Sequence, residues 1–133
     1  MAGTVTVDDQ QRGILHNSGT TVVMVKSTCV ADDSDGSYPD TEISNVGGYL
    51  IAVYVKPGTT TPTTAMDLTV KMDGIDLLGG TGADIDTSKN TLITPQDTAL
   101  NIIYPPFVGP LTQSLSGNSV NSADVEIFYF FSA

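Results

Sequence analysis

The chain has 133 residues, with 5 Lys and Arg against 15 Asp and Glu, a net charge of −10 at pH 7. That length predicts one domain over residues 1–133, and the charge sets it against phosphate backbones and anionic lipid, so neither nucleic acid nor membrane is expected as a partner. With 1 Cys, 1 His and no Trp, zinc fingers, iron–sulfur clusters and multi-histidine centres are excluded, and no cofactor is expected.

Taken in chain order, short runs of alternating apolar and polar residues, rich in Val, Ile, Thr, Tyr and Phe, lie between clusters of Gly, Pro, Asn and Asp. This is the signature of strands and turns. Met1 to Asp9 has neither the basic nor the apolar region of a signal peptide, so the mature chain is expected to start near residue 1. Thr4–Val7 is the first short run, and residues 1–8 read either as an N-terminal arm or as an edge strand. Thr21–Val30 follows, with Val23, Val25 and Ser27 on one side and Val22, Met24, Lys26 and Thr28 on the other. Gly48–Lys56 sets Tyr49, Ile51, Val53 and Val55 against Leu50, Ala52, Tyr54 and Lys56. Apolar residues on both sides of these two runs predict strands covered on two faces. Asp67–Met72 turns through Asp73-Gly74, a dipeptide suited to positive φ, into a returning arm at Ile75–Leu78. Thr91–Thr94 and Ala99–Tyr104 are short strands bounded by Pro95 and Pro105-Pro106. The last, Asp124–Phe131, holds four of the chain's nine aromatic residues and alternates throughout, which places the C-terminal segment in the core. About eight short strands with little or no helix predict an all-β domain, either a β-sandwich or a jelly-roll-like barrel.

Chemistry-bearing residues are sparse. With Gly36 at the sharp turn of a calcium loop, Asp33, Asp35 and Glu42 fall at the third, fifth and twelfth positions of an EF-hand. Ala31 stands at the first position, Pro39 interrupts the loop and β patterns flank it, so the EF-hand fails. Asp33, Asp35 and Glu42 remain candidates for a weak calcium site on a β-loop, against the plainer reading of a solvated acidic turn. The loop from Leu78 to Thr87 has the glycine density of a phosphate cradle but no Lys, no following helix, and Asp84 and Asp86 in the way. Cys29 and His16 form the single thiol–imidazole pair available, and a cysteine in an apolar strand reads as a small buried hydrophobe. Asp67, Asp73, Asp76, Asp124 and Glu126 supply carboxylates for glycoside hydrolysis, without the aromatic platforms such sites use. No catalytic residue is assigned, and the chain is not expected to be an enzyme.

The N-terminal Met1-Ala2-Gly3-Thr4-Val5-Thr6-Val7, the strand from Gly47 to Gly58, and the block Met66 to Asp84 with its Asp-Leu-Thr-Val hairpin and Gly-Gly-x-Gly-Ala-Asp loop resemble small, acidic, Gly/Thr-rich virion structural proteins of tailed bacteriophages. The likeness runs in order over most of the chain. The acidic insert from Asp32 to Asp40 and the segment from Pro105 to Pro110 depart from it. The resemblance implies a capsid decoration or cement protein: a β-sandwich, assembled in the host cytoplasm onto the capsid exterior. Its expected partners are the major capsid protein and further copies of itself, a trimer being favoured. Gly3, Thr4, Val5, Thr6 and Val7 are the candidate interaction residues, able to add a strand to a neighbouring edge. Tyr38 and Phe107 are available as aromatic anchors. A tail or neck adaptor, or a carbohydrate- or host-surface-binding β-module, is the alternative.

Overall fold

Side chains that alternate in polarity fit a pleated strand with one face dry, and two such sheets bury their dry faces against each other. The structure is a computed structural model that describes residues 2–7, 11–14, 21–44 and 47–132, with backbone alone at 11–14 and 21. Among these residues there is no helix, and eleven strands form two antiparallel sheets of a β-sandwich. The larger sheet runs β1 (Thr4–Val7), β3 (Thr21–Val30), β11 (Asp124–Ser132), β5 (Gly47–Pro57) and β8 (Thr91–Ile93). In it β2 (Gln11–Ile14) also pairs with β3, and β9 (Pro106–Val108) also pairs with β5. The smaller sheet runs β4 (Thr41–Ile43), β10 (Leu111–Ser116), β6 (Asp67–Met72) and β7 (Ile75–Asp76).

The core fills from alternate positions. In β11, Val125, Ile127, Tyr129 and Phe131 are at most 2% exposed, while Glu126, Phe128 and Phe130 between them are only half-buried. Val23, Val25 and Cys29 of β3 join them from one side, Leu68, Val70, Leu111 and Leu115 from the facing sheet. Phe107 of β9 meets Phe131 edge-on, ring centroids 5.5 Å apart, the arrangement that ring quadrupoles favour. Burial on this scale contributes roughly 1.5–3 kcal/mol for each large side chain.

Several local expectations change. In β5 the register slips at Phe130/Phe131, so that Phe130 faces Ala52 and Phe131 faces Leu50. Ile51 is the extra residue of a β-bulge, and the alternation expected along this strand breaks there. Leu50 and Val53 are therefore both fully buried, while Tyr49 is 53% exposed. The Asp73-Gly74 turn forms as expected, with φ of 50° and 83° and Met72 opposite Ile75. Its returning arm stops at Asp76, not Leu78, because the Asp76 carboxylate accepts the amides of Val70, Leu78 and Gly80 and curls the chain out of the sheet.

Ala99–Tyr104 is not a strand. The Asp97 carboxylate accepts the amides of Ala99 and Asn101, and the Leu100 amide donates to the Asp97 carbonyl. A wound turn results, with Leu100 at φ 65° and one isolated bridge between Gln96 and Ile102. Strands β2, β4, β9 and β10 went unread in the sequence. β10 is the instructive case: Gln113 occupies an inward position between Leu111 and Leu115 and is 1% exposed, so its apolar alternation is broken by a polar residue.

Candidate interaction surface

Most of the carboxylates singled out in the sequence act as turn and strand fasteners. Asp32 accepts Ser34 Oγ and the amides of Ser34 and Asp35, and the Ser34 hydroxyl, followed by its amide, holds the Asp32 carboxyl below the usual range. Asp35 accepts the Ser37 amide, and Glu42 on β4 accepts the Ser44 hydroxyl. Asp33 and Asp35 are exposed in the turn. The calcium candidates Asp33, Asp35 and Glu42 do not converge, and no three His, Cys, Asp or Glu side chains gather to hold a metal ion among the described residues. Asp67 accepts the Asp84 amide, Asp124 accepts the Thr60 amide, and Glu126 pairs with Lys26 at 3.2 Å. In the glycine-rich loop, Gly82 lies so close to the Leu68 carbonyl that a Cβ would collide with it, while its own carbonyl receives the Leu68 amide at 2.7 Å. That glycine serves close backbone approach.

Cys29 is fully buried, and burial pushes its thiol pKa up against the hydrogen bonds from Ser27 and Gln113. A thiol held protonated is a poor nucleophile. His16, its expected partner, lies outside the described residues. Around Cys29 runs a polar bridge between the sheets: Tyr129 Oη of β11 donates to Gln113 Oε1 of β10 at 2.6 Å, and Gln113 Nε2 reaches Cys29 Sγ at 3.4 Å. Tyr38 is 7% exposed, its hydroxyl donating to the Ala123 carbonyl at 3.0 Å, and Phe107 is 2% exposed. Both candidate aromatic anchors are thus core residues. Thr4–Val7 pairs with Val30 to Ser27 of its own sheet, with Val5 and Val7 packed on the core, Thr4 and Thr6 exposed, and Gly3 against the Ser37 carbonyl.

The two sheets differ on their outer faces. Directly opposed residues of antiparallel strands share a face. On the smaller sheet the outward sets are Thr112 with Lys71 and Glu42, Ser114 with Thr69, and Ser116 with Asp67. All are polar. On the larger sheet they are Phe128 with Lys26 and Tyr54, Phe130 with Met24 and Ala52, and Ser132 with Val22 and Tyr49. Leu92 faces Tyr54, and the Tyr54 and Phe128 rings lie 6.0 Å apart. Phe128, Phe130, Met24 and Tyr54 stay only half-buried, so the two-sided cover expected for β3 and β5 is not completed for these side chains.

Of the eight large hydrophobics exposed among the described residues, four lie on strands of the larger sheet and three on the connection between two of those strands. Val30, Tyr49, Leu92 and Val108 project from strands of the larger sheet, and Leu100, Ile102 and Tyr104 from the connection between β8 and β9 at its edge. The eighth, Ile75, is on β7 of the other sheet. Val108 is 86% and Leu100 77% exposed. A leucine in the left-handed region costs about 1–2 kcal/mol, and the hydrogen bonds of Asp97 hold this one there at the turn's tip. Apolar side chains concentrated on one face mark a contact surface. Comparison with protein-family models, with curated proteins and with solved structures gives no match.

Proposed function

We propose that this protein is a non-enzymatic structural component of a bacteriophage particle, a decoration or cement protein that binds the major capsid protein on the outside of the head as a homo-oligomer. The observation that carries an adhesive role is the exposure of Leu100, Ile102, Tyr104 and Val108, four of the eight large hydrophobics exposed among the described residues, within one short stretch of chain. The phage setting rests on the resemblance of the Gly47–Gly58 and Met66–Asp84 blocks. Asp32, Asp35, Asp67, Asp76, Asp97 and Asp124 are committed to backbone amides and Glu126 to Lys26, which favours a structural role over a catalytic one. Several copies bridging neighbouring capsomers combine modest contacts by avidity, which stabilises a shell against internal pressure. The exposed side chains of Leu100, Ile102, Tyr104 and Val108 supply the apolar part of such a contact.

The test mixes purified protein with heads lacking it, then measures co-sedimentation and the temperature at which heads release DNA. Binding with a higher release temperature is expected, both lost in a Leu100→Asp, Val108→Asp variant. Absence of binding, or location of the protein in the tail of purified particles, overturns the head assignment. A glycan that raises the melting temperature points to a sugar-binding module instead.

A further inference from the structure

We infer that the outer face of the seven-stranded sheet packs against the same face of a second copy of this chain. The inference assigns the oligomer contact of the function proposed above and rests on that reading for its setting alone. Three observations favour a second copy as the occupant. The first is composition: the centre of the face is Met24, Tyr54, Phe128 and Phe130, all half-buried, beside polar outward residues on the other sheet. Aromatic residues and Met at the centre of a patch are typical of protein contacts.

The second is charge. Each copy carries −10, so two copies repel over most of their surfaces. Across the outward positions of β3, β5 and β11 lie Lys26, Lys56, Glu126 and Asp124, two positive and two negative, with Lys26 and Glu126 paired at 3.2 Å. Those charges balance. A face that is neutral in sum and apolar at its centre is where a chain of this acidity can meet its own copy, and such a face turned on itself gives a two-fold contact that closes at two subunits.

The third is size. The seven strands of the sheet hold 44 residues, which at a rise of about 3.4 Å and a spacing of about 4.8 Å make a face of roughly 700 Å². A specific interface takes about 800 Å² from each partner. The two areas are comparable.

The experiment measures molar mass by light scattering after gel filtration of the whole chain across the micromolar range, at low and high salt. A dimer is expected, tightening as salt screens the remaining negative charge. Phe128→Glu should weaken it at least about 100-fold, since each copy would bring a further carboxylate into a desolvated apolar contact. Tyr49→Glu with Leu92→Glu alters only exposed positions, keeps the fold by circular dichroism, and should weaken the dimer as well. A wild-type monomer, a trimer, a dimer loosened by salt, or a dimer unmoved by the folded variants overturns the inference. The two proposals fail separately: a monomer that still binds heads removes the pairing alone, and a dimer that ignores heads removes the capsid role alone.

Discussion

Tyr129→Phe removes one oxygen from the bridge between the sheets and leaves Gln113 Oε1 without its 2.6 Å donor. Both residues are 1% exposed, so water does not replace the lost bond. An unsatisfied buried polar group costs about 1–3 kcal/mol, and for a chain of this size that lowers the melting temperature by about 4–10 °C. Gln113→Leu should cost a similar amount, because it strands the Tyr129 hydroxyl in an apolar setting. The double variant removes donor and acceptor together. It should lose less than the sum of the singles by about 1–3 kcal/mol, as replacing both partners with apolar groups of similar shape is close to neutral. Urea unfolding followed by circular dichroism measures all four proteins, with an unchanged m-value showing that two-state behaviour holds. Additive losses within about 0.5 kcal/mol would show that the two groups act independently and would refute a coupled bridge.

Two further outcomes follow from groups fixed in place. Gly82→Ala drives a Cβ into the Leu68 carbonyl and should cost about 1–3 kcal/mol in urea unfolding, as overpacking of a close approach does; an unchanged midpoint would mean the loop is not pinned there. Stability should fall at both ends of the pH range. Asp32, Asp86 and Asp97 hold lowered pKa values through hydrogen bonds led by the Ser34 hydroxyl, the Ser88 hydroxyl and the Asn101 amide. Their contribution is present above the free carboxylate value of about 3.9 and is lost as pH falls through the folded values. Burial raises Cys29, Tyr38 and Tyr129, so their contribution is intact below the unfolded values of about 8.5 and 10 and declines as pH rises past them. In Cys29→Ala, melting curves should lose the part of the alkaline decline that begins near the thiol value; an identical alkaline limb would remove the thiol from the account.

The strands that could be read were those whose pattern is unbroken. β11 alternates from Asp124 to Ser132, and β6 closes through Asp73-Gly74, whose backbone needs are written in its residue types. Those that could not be read depend on contacts across the sandwich. β10 hides because Gln113 is inward for the sake of Tyr129, sixteen residues later, and the turn after Asp97 hides because a side-chain carboxylate outcompetes the sheet for the amides of Ala99 and Asn101. The apolar outer face of the larger sheet was half legible. Apolar residues on both sides of β3 and β5 stood in the sequence as a sign of burial on two faces, yet only the inward positions reach full burial within the described chain.

That unfinished burial and the chain's acidity are linked. Many of the acids sit where a turn needs an acceptor: Asp32, Asp76, Asp86 and Asp97 each satisfy nearby backbone amides, work that a carboxylate does at short range without helix caps or metals. The charge is thereby distributed over loops and the smaller sheet's outward face, and it accumulates to −10. At an exposed surface such charge keeps copies apart over a range of about 8–10 Å in physiological salt. Contact between copies is then favoured where charges cancel and apolar area is exposed. The centre of the outward face of β3, β11 and β5, at Met24, Tyr54, Phe128 and Phe130, meets both conditions, which is why the proposed contact between copies is placed there.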